Sequence, residues 1–455
     1  MRVKKDCQLP INWGFIPAPK IVAEYQEKYN ALSEILDENP DILDLLDRDL
    51  QKLCSSNRKG RKGAYTSETI LRTIVVMRIE CLSFRDAIVN IAQNEFLCGF
   101  IRLGNRTMMD FTFLNKCANA IQSATWDEIN KMLSRYAVAE SLIDPSHTRL
   151  DTTAIEVNIH YPTDSSLLWD SYRVLVRWID RAKEFVPVVR HHRFHDKRVK
   201  RLHLFITRYI ASTSKSRQKA VKGRFRELIA AVRRVYDIAQ KVVEWAKLFP
   251  AQIELAAIAS ELNYYLTAVK TVSDAAERVA VKGETVPASE RIFSLFEQHA
   301  ELIKRGKKGK PVEFGHMVLL VETREKFITQ YNVMEKQIAD EHLLPGALET
   351  HKEQFGEYPE VATADCRFHG TQEQMDAMSE KVEDLAIPKK AMDWANPFLL
   401  LWQGFRAGIE GSISVLKRAF GLLRCLYRGF KNFACAVGMS VFCHNLVCLA
   451  RMRTA

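Results

Sequence analysis

The sequence predicts an α/β core that is interrupted by a long helical insertion and preceded by an all-helical domain. Up to about residue 140, apolar residues recur every three or four positions, which is typical of helices. From Asp151 to Ile159 every second residue (Asp151, Thr153, Ile155, Val157, Ile159) falls on one face, as in a strand, and residues 167–300 then return to helical spacing. At 455 residues the chain is long enough for more than one domain.

Composition and charge narrow the class of protein. Hydrophobic residues make up 47% and charged residues 27% of the chain, as in ordinary globular proteins and unlike disordered ones. The formal net charge is +11 and the pI is about 9.1, which favours a polyanionic partner. The N-terminus has no apolar signal-peptide core, and none of the ten cysteines forms a C-x-x-C pair. We therefore expect reduced thiols in the cytoplasm and no structural metal.

The most apolar stretch lies near the C-terminus. Residues Phe433–Leu449 are short for a membrane span and include His444 and Asn445. We expect a helix that is buried beneath a sheet, and no membrane contact.

Residues 1–57 are predicted as an N-terminal helical leader and residues 58–140 as a second helical domain. The second domain starts with a basic cluster and continues with two helices, Ser67–Glu80 and one that Ser83 caps. Helix, turn and helix is the geometry of a DNA-reading module, but also of any packed helical hairpin, so both interpretations stay open. The basic residues that we expect to contact DNA are Arg58, Lys59, Arg61 and Lys62.

Residues 146–455 are predicted as one α/β domain, which a basic helical insertion at 167–300 interrupts. Between Ser171 and Val235 there are 19 Lys and Arg residues against four Asp and Glu, so this stretch is more positive than the whole chain. Apolar positions continue through it, and we therefore expect it to fold and to hold the backbone of a DNA duplex. The candidate phosphate contacts are Arg173, Arg177, Arg198, Lys200 and Arg201.

Two other patterns in the insertion have ordinary explanations. Trp169, Tyr172 and Trp178 could stack on an unpaired base, but aromatic residues at such positions are more often part of a core. The tract His191–His195 has no carboxylate or cysteine partners at ligand spacing. Phosphate contact or simple exposure is therefore favoured over metal binding.

Strand character returns after residue 300. Two predicted strands, Gly309–Glu322 and Arg324–Met334, form a hairpin, and short strands follow at Glu360–Asp365 and Leu385–Pro388 with helices between them. This order fits a ribonuclease H-like fold with a helical insertion after its first strand. The basic segment Lys304–Lys310 is expected to be a loop, because it lacks the Ser or Thr of a phosphate-binding P-loop.

The stretch Gly404–Lys431 says most about function. Its apolar residues recur at helical spacing and predict a helix with one buried face. Arg406, Glu410 and Lys417 fall at nearly the same angular position, spread over about three turns. On spacing alone, they could be an exposed ion pair with a nearby lysine, or a metal-binding carboxylate between two cations that hold phosphates.

Three motifs together resemble the DDE transposases of bacterial insertion sequences. The spacing Arg-x3-Glu-x6-Lys around Glu410 is similar to the signature around their third acidic residue. The segment LDTTAIEVNIHYPTDSSLL (150–168) resembles their first-aspartate strand, and VATADCRFHG (361–370) resembles their second. The resemblance spans nearly the whole chain and is closest to the insertion-sequence group that is not classified elsewhere (ISNCY).

This resemblance implies a site and a reaction. The catalytic and metal-binding residues would be Asp151, Asp365 and Glu410, with Arg406 and Lys417 on DNA phosphates. Two Mg²⁺ or Mn²⁺ ions would be the cofactors, because three carboxylates cannot stay ionised together without cations. The implied protein is a cytoplasmic bacterial transposase. It would bind the terminal inverted repeats of double-stranded DNA as a homodimer and catalyse cleavage and strand transfer.

Two positions depart from the family pattern. Gln403 stands where a Tyr is often found, and Cys366 and Arg367 follow Asp365 where a basic residue and then Gly are usual. Two further functions therefore stay open beside transposition. One is a catalytically decayed DNA-binding protein or repressor of transposition, and the other is a ribonuclease H-like nuclease without strand transfer.

Overall fold

The computed structural model describes residues 19–53, 65–307, 309–389 and 396–454. In these residues, seven helices come before the first strand. Ser83 caps the fourth of them by accepting a hydrogen bond from the backbone N–H of Asp86 (3.2 Å), as predicted. Cys81 closes the preceding turn with a positive φ of 51°. The helices are α1 (Lys20–Glu38), α2 (Asp41–Leu50), α3 (Ser67–Ile79), α4 (Phe84–Ala92), α5 (Glu95–Phe100), α6 (Phe111–Ala120) and α7 (Ser123–Ala139).

A mixed sheet forms the centre of the molecule. Its strands are β1 (His147–Val157), β2 (Glu301–Lys307), β3 (Lys310–Thr323), β4 (Ile328–Val333), β5 (Val361–Thr363), β6 (Asp384–Ala386) and β7 (Arg424–Cys425). The main order is β2-β3-β1-β5-β6, while β4 pairs with β3 and β7 with β1. β1 runs antiparallel to β3 and parallel to β5, and β5 runs parallel to β6. The hairpin and the two later strands are therefore present in the predicted order.

Four helices connect β1 to β2 along the chain. They are α8 (Asp164–Ala182), α9 (Asp196–Tyr209), α10 (Lys215–Leu248) and α11 (Ile253–Ala276). Their apolar faces form a core of their own, in which Leu168, Leu228 and Leu262 are fully buried. Beyond Lys282 the chain is mostly irregular up to β2, although helix was predicted as far as residue 300.

The sheet separates two further cores. On one face, α12 (Leu344–Phe355) and α13 (Gln372–Ser379) cover β1 and β3. On the other face lies α15 (Phe430–Thr454), which also packs against α1, α3 and α7. This helix is long and apolar enough to cross a membrane, yet its most apolar window is completely buried inside the protein. The predicted buried helix beneath the sheet is therefore present.

Two strand predictions need correction. The strand predicted from the alternation that begins at Asp151 is present as β1, but its bounds need correction, because β1 begins at His147 and ends at Val157; it is a central strand and nearly all of its residues are buried. The basic segment Lys304–Lys310 was expected to be a loop, yet its first residues belong to β2, which pairs with β3. Hydrogen bonding to a neighbouring strand outweighs the low strand propensity of Lys and Gly in this segment.

A buried ion pair fixes α14 (Pro397–Ala419) against the sheet. Arg149 Nε on β1 donates to Glu322 Oε2 on β3 (2.8 Å), and both side chains are almost completely buried. From α14, the Ser412 hydroxyl donates to the second oxygen of Glu322. Arg149 Nη1 donates to the carbonyl oxygen of Phe405 (2.8 Å). A Cβ added at Gly408 would collide with the Arg149 guanidinium, so a glycine lets the helix approach this closely.

We therefore expect Gly408→Ala to lower the free energy of unfolding by about 1–3 kcal/mol, because the new methyl group displaces the Arg149 guanidinium. The matched control is Gly404→Ala in the same helix, where an added Cβ meets nothing within 4 Å. That change should stabilise the protein by about 0.5–1 kcal/mol through helix propensity. Urea unfolding of both variants measures the difference, and equal stability would show that the Arg149 contact does not constrain α14.

Candidate active site

Two acidic residues extend from neighbouring strands at the same edge of the sheet. β1 and β5 are parallel, and their register pairs Arg149 with Thr363. Asp151 and Asp365 each follow two residues later, so the register places them side by side. Two separate sequence motifs predicted Asp151 and Asp365 as site residues. The pairing of β1 with β5 brings the two residues close together.

The environment of Asp151 disfavours its ionised form. Its side chain is about nine-tenths buried, and burial together with the negative charge of Asp365 raises its pKa to about 6. The backbone N–H of Thr152 donates to Asp151 Oδ1 (2.7 Å), and the charges of Arg406 and Arg367 act in the same stabilising direction. A divalent cation between the two carboxylates would relieve the repulsion between them.

Arg367 lies among three carboxylates. Its Nε is 3.1 Å from Asp365 Oδ2 and 3.5 Å from Asp340 Oδ2, and its backbone N–H donates to Asp365 Oδ1 (2.9 Å). Asp365, Asp340 and Asp151 outweigh the effect of burial and raise the pKa of Arg367. Because Asp365 caps a short turn at Cys366–Phe368, Arg367 does not adopt a positive φ. A glycine is therefore not needed here for backbone conformation.

Asp340 is a member of this site that the sequence reasoning missed. Its Oδ1 accepts a hydrogen bond from the hydroxyl of Thr152 (3.1 Å), the residue after Asp151. It comes from the turn before α12, where no motif or spacing distinguishes it from the neighbouring acidic residues Glu335 and Glu341. Its contacts with Thr152 on β1 and with Arg367 identify it.

Glu410 is on α14 and is 64% exposed. Arg406 Nη2 donates to Glu410 Oε1 (3.2 Å), and its Nε donates to Gln403 Oε1 (2.9 Å). Gln403, one of the departures from the family pattern, therefore orients Arg406. The positive charge of Arg406 also lowers the pKa of Asp151, so the same guanidinium interacts with both Glu410 and Asp151. Lys417 lies seven residues further along the same helix and is half-buried.

The acidic residues fit a divalent cation in part. Asp151 and Asp365 are hard oxygen donors whose mutual repulsion a cation would offset. Among the described residues, however, no three Asp, Glu, His or Cys side chains lie together as a metal-binding group. Glu410 is paired with Arg406, and Arg367 supplies a positive charge beside Asp365.

The predicted phosphate contacts of the helical region lie on its surface. Arg173 and Arg177 are exposed on α8, and Arg198, Lys200 and Arg201 are exposed on α9. The predicted contacts of the N-terminal cluster lie outside the described residues. They are Arg58, Lys59, Arg61 and Lys62.

The structure shows what surrounds the aromatic residues and the histidine tract of this region. Trp169 stacks on Tyr172 (5.9 Å between ring centroids), and Tyr172 is buried in the core of α8–α11. Trp178 is partly buried against the same core. Within the part of the chain that the structure describes, the tract His191–His195 belongs to no group that could hold a metal.

The match to a known family covers the C-terminal part of this architecture, from the end of the helical region onward. Residues 292–446, about a third of the chain, match the family model described as transposase DDE domain. The match includes Asp365 and Glu410 and begins after the strand that carries Asp151. No curated protein and no solved structure matches the chain. The chain thus contains a transposase DDE domain over residues 292–446, which supports a DDE-type transposase.

Proposed function

We propose that this protein is the transposase of a bacterial insertion sequence, which binds the terminal inverted repeats and catalyses metal-dependent cleavage and strand transfer. The observation that carries the proposal is the position of Asp151 on β1 and of Asp365 two residues beyond the end of β5, the strand that pairs in parallel with β1. Asp365 lies in the region that matches the transposase DDE domain. The Arg149–Glu322 pair, which joins β1 to β3, holds α14, and with it Glu410, against the strand that carries Asp151.

The acidic residues have distinct tasks in this proposal. Asp151 and Asp365 hold two Mg²⁺ or Mn²⁺ ions, and Glu410 completes the ligand set from α14. Arg406, once released from Glu410, meets a DNA phosphate, as does Lys417. Bound divalent cations supply the acidity that activates a water or a 3′-hydroxyl and stabilise the leaving oxygen. The same residues then serve hydrolysis at the ends of the element and strand transfer into target DNA.

The proposed partner is double-stranded DNA, at the ends of the element and at the target. The exposed cations of α8 and α9 hold its backbone through charge, which is independent of base sequence. The N-terminal cluster Arg58, Lys59, Arg61 and Lys62 adds further phosphate contacts. Two copies of the chain bring two ends together as a homodimer in the cytoplasm.

A second function is a catalytically inactive DNA-binding protein that represses transposition. The observation that favours it is Arg367, which contacts the carboxylate of Asp365 where a cation would bind. In this case the protein binds DNA ends but does not cleave them in the presence of Mg²⁺. A nuclease without strand transfer is separated from both by the products that form on paired ends.

We expect Asp151→Asn, Asp365→Asn and Glu410→Gln each to reduce Mg²⁺-dependent end cleavage by several orders of magnitude, because metal positioning is a collective property. DNA binding should remain largely intact. Cleavage of a linear DNA that carries the sequences flanking the gene measures the first effect, and a mobility-shift titration measures the second. The matched control is Glu353→Gln, an exposed carboxylate on α12. Near-normal cleavage by any of the three variants would remove that residue from the site.

Replacing Arg173, Arg177, Arg198, Lys200 and Arg201 with Gln should weaken binding to all DNA sequences and flatten the dependence of log K on log salt. Each lost phosphate contact reduces the slope by about 0.9, so the slope should fall by up to about 4.5 if all five residues contact phosphates. The control replaces exposed lysines of the same helical region outside the cationic stretch, namely Lys241, Lys247 and Lys270. A slope that stays unchanged in the five-residue variant would show that this face does not contact DNA.

Arg367→Gly should keep or raise cleavage and lower the Mg²⁺ concentration needed for half-maximal activity. The reason is that a cation within 3.1 Å of Asp365 competes with the metal for this carboxylate. Arg367→Lys, which keeps the positive charge, is the matched control and should behave like the unmodified protein. A clear drop in cleavage by the Gly variant at saturating Mg²⁺ would instead assign Arg367 a positive role, such as a phosphate contact.

A further inference from the structure

A cavity of about 960 Å³ lies between the turn from α3 to α4 and the segment from α14 to α15. Its volume is in the range of sites for small organic ligands, about 300–1,000 Å³. Lys417 lines it, and this residue is seven positions, or about 10 Å of helix, beyond Glu410. The cavity therefore adjoins the helix that carries the third acidic residue of the candidate active site.

The formal charges around this cavity are all positive. Of the described residues that line it, five are Lys or Arg and none is Asp or Glu. Arg424 is partly neutralised by Glu156 (3.6 Å), which is not part of the lining. A cavity with such a lining attracts anions. The five cations are Arg78, Lys417, Arg418, Arg424 and Arg428.

Arg78 points to a ligand most directly. It is 9% exposed, its guanidinium lies over the ring of Tyr427 (5.1 Å), and its Nε contacts Met439 Sδ (3.1 Å). Its Nη2 is buried without a hydrogen-bond partner, and no carboxylate among the described lining residues faces it. A buried charge without a counter-charge is unfavourable, and an anion in the cavity would relieve this cost.

The walls of the cavity suit the flat face of a base. The ring of Phe84 packs edge-on against Tyr427 (5.8 Å between centroids). Leu423 and Leu426 also line the cavity, although they are 61% and 69% exposed. A base inside a duplex has both faces covered by its neighbours, so only an unstacked base can make these contacts.

We propose that this cavity binds one unpaired nucleotide of DNA, with its phosphate at Arg78 and its base against the wall of Phe84, Leu423 and Leu426. The inference rests on the proposed function, because a DNA strand at Glu410 brings a nucleotide to the cavity. It adds a site that holds the strand beside the cleaved bond, formed jointly by the N-terminal helices and the DDE domain.

The test is the binding of a fluorescent nucleotide, 2-aminopurine deoxyriboside 5′-monophosphate, to the full-length protein. Arg78→Met retains the apolar volume but not the charge and should weaken binding about tenfold or more. Leu426→Asp adds a negative charge at an exposed position and should weaken it about fivefold or more. The matched control is Arg233→Met in another cavity, where Asp274 and Glu277 already neutralise the arginine. It should bind like the unmodified protein.

Competition with inorganic phosphate and with the nucleoside identifies the ligand class, and each should compete about tenfold less well than the nucleotide. If phosphate competes as well as the nucleotide, the cavity is a general anion site. If the nucleoside competes as well as the nucleotide, there is no phosphate contact at Arg78. Either result overturns the proposal. Unchanged nucleotide affinity in Leu426→Asp would also overturn the proposal. This second variant keeps the test decisive if thermal unfolding shows that Arg78→Met does not fold. Asp151→Asn should bind the nucleotide with unchanged affinity, because Asp151 does not line the cavity. The effect of this variant on DNA cleavage therefore tests only the proposed function, and its nucleotide binding tests only the cavity.

Discussion

The buried ion pair between Arg149 and Glu322 is the interaction on which the candidate active site depends. It joins β1 to β3 and, through Ser412 and the carbonyl of Phe405, joins both strands to α14. Removing two charges from water is costly, and the hydrogen bonds from Ser412 and to Phe405 offset part of that cost only when the helix keeps this position on the sheet. Arg149 Nη2 is buried without a hydrogen-bond partner. Burial raises the pKa of Glu322, and the positive charge of Arg149 lowers it. Removing either residue would therefore leave the other as a buried charge without its partner.

The same principle of charge compensation operates at the acidic residues themselves. Asp151 and Asp365 are held side by side by strand pairing, and their repulsion is offset by the guanidinium groups of Arg367 and Arg406. Each arginine has a second carboxylate partner, Asp340 for Arg367 and Glu410 for Arg406. The site thus carries its own positive charges close to the carboxylates that the proposed metal ions would use.

Positive charge is distributed differently elsewhere in the molecule. On α8 and α9 it is exposed to solvent, where it attracts a polyanion over a distance and is screened by salt. In the cavity beside α14 it is partly buried among apolar residues, and the described residues that line the cavity give Arg78 no counter-charge. A surface of the first kind suits the proposed contact with a duplex irrespective of its sequence, whereas a cavity of the second kind suits the proposed binding of a single group of defined size and charge.

The sequence by itself determined most of the element types and the chain positions of the candidate residues Asp151, Asp365 and Glu410, because hydrophobic period and short motifs are local properties of the chain. It could not place these three residues relative to one another or identify Arg149 and Asp340, since their roles arise from contacts between segments far apart in sequence. Strand pairing decided that Asp151 and Asp365 are neighbours. Packing of the N-terminal helices on α14 and α15 formed the cationic cavity, because a cavity exists only where distant elements meet.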